Sequence, residues 1–186
     1  MKTPWMTLIA SILALPLCAA EMGDDGLHKA PWMRDTFKDL REDLEEANGE
    51  DKRLLILIEQ RGCIYCRKMH EEVFVVPEIA TMLEDQFFVV QINMFGDVEV
   101  TDFDGVTLSE KDMVKRWGAL FTPNMIFLPQ DVDEDATAVQ AAVANMPGAF
   151  GKHTTKNLLS WVLEEGYNGD EPFQKYHARK FSEQSQ

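Results

Sequence analysis

Cys63 and Cys66, in the run Cys63-Ile64-Tyr65-Cys66, are two thiols close enough in the chain to bond to each other. A disulfide across so short a loop removes little freedom from the unfolded chain, so this pair reads as a reactive site and not as scaffolding. The thiolate is the species that attacks a disulfide, and positive charge beside it favours that form. Arg61, Arg67 and Lys68 supply such charge, although the same three residues also suit plain solvated surface. His70 adds a further option. Cys63, Cys66 and His70 stand at i, i+3 and i+7, one face of a helix, and could converge on copper or zinc. A closed structural site takes four ligands, and the sequence offers no fourth at matching spacing. No metal is therefore expected, with a copper-binding chaperone as the alternative.

The remaining cysteine, Cys18, sits in an N-terminal segment with a different signature. One early positive charge (Lys2), a short apolar stretch over Leu8–Leu17 and the small residues Ala19-Ala20 read as a secretory signal peptide over 1–20. The apolar core is too short to span a bilayer, which takes about 20 residues. Acylation of Cys18 is a weaker reading, because Leu17 stands where a small residue is wanted. After cleavage two cysteines remain, and an exported protein with a structural disulfide framework would carry more pairs. The chain has 18 basic and 32 acidic residues, a net charge of −14, and loss of Lys2 takes it to −15. That balance argues against nucleic acid and against anionic membrane surfaces as partners.

The elements that must position the thiols can be read from periodicity. Residues 21–31 are polar and Gly-containing, and read as a mobile lead-in. Met33, Phe37, Leu40 and Leu44 recur at helical spacing and predict a helix over 32–47, stopped at Asn48-Gly49. The apolar run Leu54–Ile58 predicts a central strand over 53–59, covered on both faces. A helix should follow from Cys63 to Glu84, broken at Pro77. A strand is expected over 87–92, then a Gly- and Asp-rich insertion over 93–108, and a short helix from Ser109, as N-cap, to Trp117. Thr122-Pro123 precedes a strand over 124–128. Ala138–Ala144 reads as a strand, Met146-Pro147-Gly148 as a turn, and 153–166 as the last clear helix. The tail from 168 is polar, with Phe173, Tyr176 and Phe181 as docking points. The expected fold is α/β, a four-stranded mixed sheet with helices on both faces and a single domain over 32–167.

A buried strand, then Cys-x-x-Cys opening a helix, then a distant Thr-Pro before another strand resembles the thioredoxin fold. Within that superfamily, Gly62–His70 with Glu71-Glu72-Val73-Phe74 and Pro77 is similar to the periplasmic SoxW-type thioredoxins, which are linked to sulfur oxidation. The resemblance implies that Pro123 is a cis-proline facing the cysteines, and that Thr122 offers its backbone to a substrate peptide beside Ile64 and Tyr65. It also marks departures. Gly62 replaces a tryptophan, Ile64-Tyr65 replaces Gly-Pro, and Leu57 stands where a buried aspartate is usual. The proton-relay role of that aspartate is then absent or moved to Glu59, unless Glu59 is a solvated strand-end carboxylate.

These residues lead to one expectation. The chain is a periplasmic thiol-disulfide oxidoreductase that needs no cofactor. Cys63, at a helix N-terminus, is the nucleophile and Cys66 the resolving thiol, with Glu59, Arg61 and His70 as candidate modulators. Its partners are disulfide- or dithiol-bearing periplasmic proteins, with a membrane relay as electron donor and reduction favoured over oxidation. The classes left open are the copper chaperone and a redox-silent interaction module.

Overall fold

The computed structural model describes residues 21–183, so the expected signal peptide and Cys18 lie outside the described residues. A five-stranded mixed sheet organises the chain, in the spatial order β3-β5-β4-β8-β9. Its centre is β4 (Arg53–Glu59), whose apolar run is buried on both faces as the composition demanded. β4 lies parallel to β5 (Phe87–Asn93), with Arg53 opposite Phe87 and Glu59 opposite Asn93. On its other side it is antiparallel to β8 (Asn124–Phe127), which pairs antiparallel with β9 (Ala144–Pro147). The fold class is as expected. The extra strand is β3 (Met33–Arg34), added parallel to β5 at the edge.

Side-chain alternation along β4 sorts the two cores. Leu55 and Leu57 point to one face, where they meet Met69, Ile79, Leu83, Leu158 and Val162. Leu54, Ile56 and Ile58 point to the other, against Leu40, Leu44, Met113 and Trp117. The first face is covered by α2 (Ile64–Lys68), a π-turn (Met69–Val73), α3 (Pro77–Gln86) and α6 (Lys152–Leu163). The second is covered by α1 (Leu40–Gly49) and α4 (Glu110–Arg116).

Several expected elements are corrected. The helix expected over 32–47 starts only at Leu40, because Asp39 caps it by accepting from the amides of Arg41 (3.1 Å) and Glu42 (3.3 Å). Upstream, Lys38 takes a positive φ of 58°, Met33 lies in β3 and Phe37 is 95% exposed, so Met33 and Phe37, two members of the apparent helical stripe, never joined a helix. The strand expected over 138–144 is the short helix α5 (Ala138–Ala141), closed by a reciprocal capping box between Thr137 and Gln140. The expected turn at 146–148 is mostly strand, with the reversal at Gly148, whose φ of 96° suits glycine. Ser109 precedes α4 but donates to Asp112 (2.9 Å) and does not cap the helix amides.

The insertion after β5 folds as a hairpin, β6 (Glu99–Thr101) and β7 (Thr107–Ser109). Asp102 locks it down. Its carboxylate accepts from Arg116 Nη1, Trp117 Nε1, the Phe103 amide and the Ala138 amide, each within 2.9 Å. The 21–31 lead-in carries a small hairpin of β1 (Glu21–Met22) and β2 (His28–Lys29). A 3-10 turn (Gly166–Asn168) leads on to α7 (Phe173–Glu183), which packs on α6 with Tyr176 buried. Among the described residues no helix is long and apolar enough to cross a membrane.

Candidate active site

β4 delivers the chain to the reactive pair through a tight turn. Gly62 sits at a φ of 72°, a conformation that strains any L side chain, which accounts for glycine directly before the first cysteine. Cys63 is the N-cap of α2, and its sulfur accepts from the Cys66 amide at 2.9 Å. The two sulfurs are bonded, with the Cα atoms 5.2 Å apart. Cys63 is half-buried, whereas Cys66 is 1% exposed. An attacking group can therefore reach Cys63 and not Cys66. In the reduced form the free amides of the first turn stabilise negative charge on Cys63.

The Thr122–Pro123 loop faces this sulfur. The Cys63 sulfur lies 3.7 Å from the Thr122 carbonyl oxygen, and the Thr122 hydroxyl donates to it at 3.4 Å. The Thr122–Pro123 bond is cis. Sequence separation of 59 residues is thus closed at the reactive atom. Ile64 and Tyr65, expected to bind substrate, are both exposed beside Cys63.

The expected modulators divide. Glu59 is 1% exposed, so the solvated strand-end reading is corrected. The π-turn, closed by the Phe74 amide on the Met69 carbonyl (2.8 Å), carries His70 into the same buried layer. His70 Nε2 lies 3.1 and 3.2 Å from the two Glu59 oxygens. Glu59 takes up Nε2, which leaves Nδ1 as the remaining donor atom of the His70 ring. Among the described residues no three His, Cys, Asp or Glu side chains are grouped to hold a metal. Arg67 and Lys68 stand 4.0 and 3.9 Å from Glu71 and Glu72 on the exposed helix face. Their charge is shared with those acids and adds little at the thiols. Arg61 lies with its side-chain stem against Gly26 of the β1–β2 turn.

Sequence reasoning missed what surrounds Glu59. Gln91 donates to Glu59 Oε2 at 2.6 Å and to the His28 carbonyl at 2.8 Å, and accepts from Lys29 Nζ at 2.6 Å. His28 stacks on His70 at 4.9 Å between ring centroids, and Phe74 meets His70 edge-on at 5.1 Å. Burial first, and then the neighbouring His70, hold the His28 imidazole below its ordinary range. His70 Nδ1 is buried and has no hydrogen-bond partner among the described residues. One signal was legible. Gln91 is a lone amide inside the otherwise apolar strand Phe87–Ile92, and a buried polar group needs a partner. The lead-in, by contrast, gave no sign that it would cover the site from behind.

What this arrangement can do is exchange disulfides: an accessible sulfur at a helix terminus, a shielded second sulfur bonded to it, and a backbone edge alongside. Comparison with known proteins agrees with the geometry. No curated protein sequence matches the chain. Among solved structures, a thioredoxin-fold protein from Helicobacter pylori superposes with a TM-score of 0.54 at 16% identity, over 71% of this chain and 86% of that one. A thioredoxin from Thermus thermophilus superposes with a TM-score of 0.53 at 19% identity, over 69% and 86%. At these identities the likeness concerns the fold. The family model described as a thioredoxin-like domain matches residues 40–150, from the start of α1 to the turn before α6, and the chain belongs to that family.

Proposed function

We propose that this chain is a periplasmic thiol-disulfide oxidoreductase working mainly as a reductase of partner proteins, in the manner of the SoxW-type thioredoxins that the 62–77 segment resembles. The observation that carries this reading is the asymmetric pair. Cys63 is reachable, caps a helix and touches Thr122, while Cys66 is buried and bonded to it. In the reduced protein the Cys63 thiolate attacks one sulfur of a partner disulfide. A mixed disulfide forms, and the partner's other sulfur leaves as a thiolate. Cys66, once deprotonated, attacks the Cys63 sulfur, releases the partner as a dithiol and leaves the Cys63–Cys66 disulfide seen in this structure. Two electrons pass to the partner, and a dithiol donor such as a membrane relay must return them. Export of the chain rests on the 1–20 segment, and a role in sulfur oxidation on the resemblance.

Cys66 must lose a proton in a layer that excludes water. The Glu59–His70 pair is supported as a positioning group for that step, because His70 lies one helical turn beyond Cys66 and keeps one ring nitrogen unpartnered. The direction of electron flow is tested by equilibrating the Cys63–Cys66 couple against a glutathione or dithiothreitol buffer. A potential near about −270 mV supports the reductase, and one near about −120 mV makes the protein a disulfide donor.

A further inference from the structure

The β1–β2 hairpin reaches the Glu59–His70 pair by two routes. Its strands pair over two residues each, with Met22 opposite His28, too short a ladder to hold itself in place. Side chains fix it instead. Leu27 is buried, and the Arg61 stem lies against Gly26, whose φ of 75° makes the turn. Gln91 of β5 donates to the His28 carbonyl at 2.8 Å and to Glu59 at 2.6 Å. Lys29 Nζ donates to the same Gln91 at 2.6 Å, so one amide ties both residues of β2 to the buried carboxylate.

The second route is the His28 ring. Among the described residues three rings contact the His70 imidazole. Trp32 lies parallel to it with centroids 6.3 Å apart, Phe74 meets it edge-on at 5.1 Å, and His28 stacks on it at 4.9 Å with 26° between the planes. Trp32 and Phe74 are buried and have no group that titrates. A ring of that kind would serve as cover at position 28 as well. The residue there is instead a half-buried imidazole, which exchanges protons with solvent while touching a ring that is buried. The charged groups about His28 are Glu59 on β4, Glu71 on the π-turn and Arg67 on α2, with Arg61 at the hairpin turn and Lys29 next in the chain, bound to Asp25. Burial and the neighbouring His70 outweigh the two carboxylates and hold the His28 imidazole below its ordinary 6.5.

We infer that His28 is a positioning residue for the resolving step: its ring holds the His70 imidazole against Glu59, and a proton on His28 opposes the charge that His70 gains from Cys66. This rests on the oxidoreductase reading and on the role given above to the Glu59–His70 pair. In the mixed disulfide the Cys66 proton passes to His70, and the Cys66 thiolate attacks the Cys63 sulfur. The partner's sulfur leaves with the electron pair of the broken bond. His70 then carries a positive charge paired with Glu59. Two stacked imidazolium rings repel, the more so where one is buried, so charging His28 first makes that proton transfer harder. Resolution is thereby tied to the pH of the surroundings through a residue of the lead-in.

The test uses reduced full-length protein and a limiting amount of the coloured disulfide dithionitrobenzoate. Cys63 releases one thionitrobenzoate on attack and Cys66 releases the second on resolution, so the two steps are read apart. His28→Phe keeps a stacked ring without a charge, and His28→Ala removes the ring, with thermal unfolding confirming that both variants are folded. Near about pH 7.5 the second release should stay within about twofold of wild type in His28→Phe and slow about 10-fold in His28→Ala. As pH falls towards about 5, His28→Phe should come to exceed wild type about fivefold, because the wild-type ring takes up its proton. The first release should be alike in all three proteins. A wild-type second release in His28→Ala, or a wild-type pH profile in His28→Phe, overturns the inference. So does equal slowing of both releases, which would make His28 a part of the fold and not of the resolving step. Failure of the underlying readings is seen separately, as no first release from wild type for the oxidoreductase, or an unchanged second release in Glu59→Gln for the Glu59–His70 pair.

Discussion

Asp102 and Glu59 are both buried carboxylates in polar clusters, and they differ in what surrounds them. Asp102 accepts from four donors, two of them backbone amides, and joins the β6–β7 hairpin to α4 and α5. Every lone pair that matters is used, which is how a buried charge becomes a structural fastener. Glu59 instead meets an imidazole and an amide, and its histidine keeps one ring nitrogen without a partner among the described residues. A group that can hand over a proton serves a redox site better than one locked among fixed donors. Asp43 marks the far end of the series. It is 3% exposed and has the Thr36 hydroxyl, at 3.3 Å, as its donor. Burial, with Asp39, Glu46 and Glu42 nearby, raises it to about 7.

The largest effect should come from breaking the fastener. Asp102→Ala strands two buried amides and the Trp117 indole N–H, and should cost about 3–5 kcal/mol. For a chain of this size that lowers Tm by roughly 10 °C in calorimetry. Exchange per folded molecule should hardly change. A large loss of exchange in folded Asp102→Ala would erase the distinction between the two clusters.

Asp43 gives the next effect, and its sign follows from the raised value. The unfolded chain ionises Asp43 near its ordinary 3.8, while the folded protein holds the proton to about 7. Its favourable contribution is therefore complete below about pH 4 and is lost as pH rises through 7. Asp43→Asn should match wild type near pH 4 and exceed it by roughly 2 kcal/mol at pH 8 in denaturant unfolding. Equal stability of the two proteins across that range would show Asp43 to be solvated.

Glu59→Gln should be the mildest in stability and the most specific in function. The amide keeps the shape of the cluster but cannot hold a proton between itself and His70. Resolution of the mixed disulfide should slow about 10-fold, with its pH–rate profile displaced, while Tm moves by only a few degrees. An unchanged profile would make Glu59 a structural carboxylate like Asp102.

How much was legible in advance also divides between these regions. β4 was readable to the residue, because a five-residue apolar run admits little else, and the thiol pair followed from its context, whereas the cis bond at Pro123 was implied only by the family resemblance. The helix expected over 32–47 failed because Met33 and Phe37 fell on its stripe by coincidence, while Asp39, the actual cap, was passed over. α5 had its Thr137-x-x-Gln140 signature in plain view, but runs of alanine hid it. The Glu59 cluster was only half legible. Spacing put Glu59 and His70 near the cysteines, but a π-turn is needed to bring them together, and no periodicity announces one.

Trapping tests the central claim most directly. Cys66→Ser, reduced and mixed with a protein disulfide, should accumulate a mixed disulfide through Cys63, because the resolving thiol is gone. Cys63→Ser should accumulate none, since Cys66 is buried. Trapping by Cys63→Ser alone, or turnover that survives loss of both cysteines, would contradict the account.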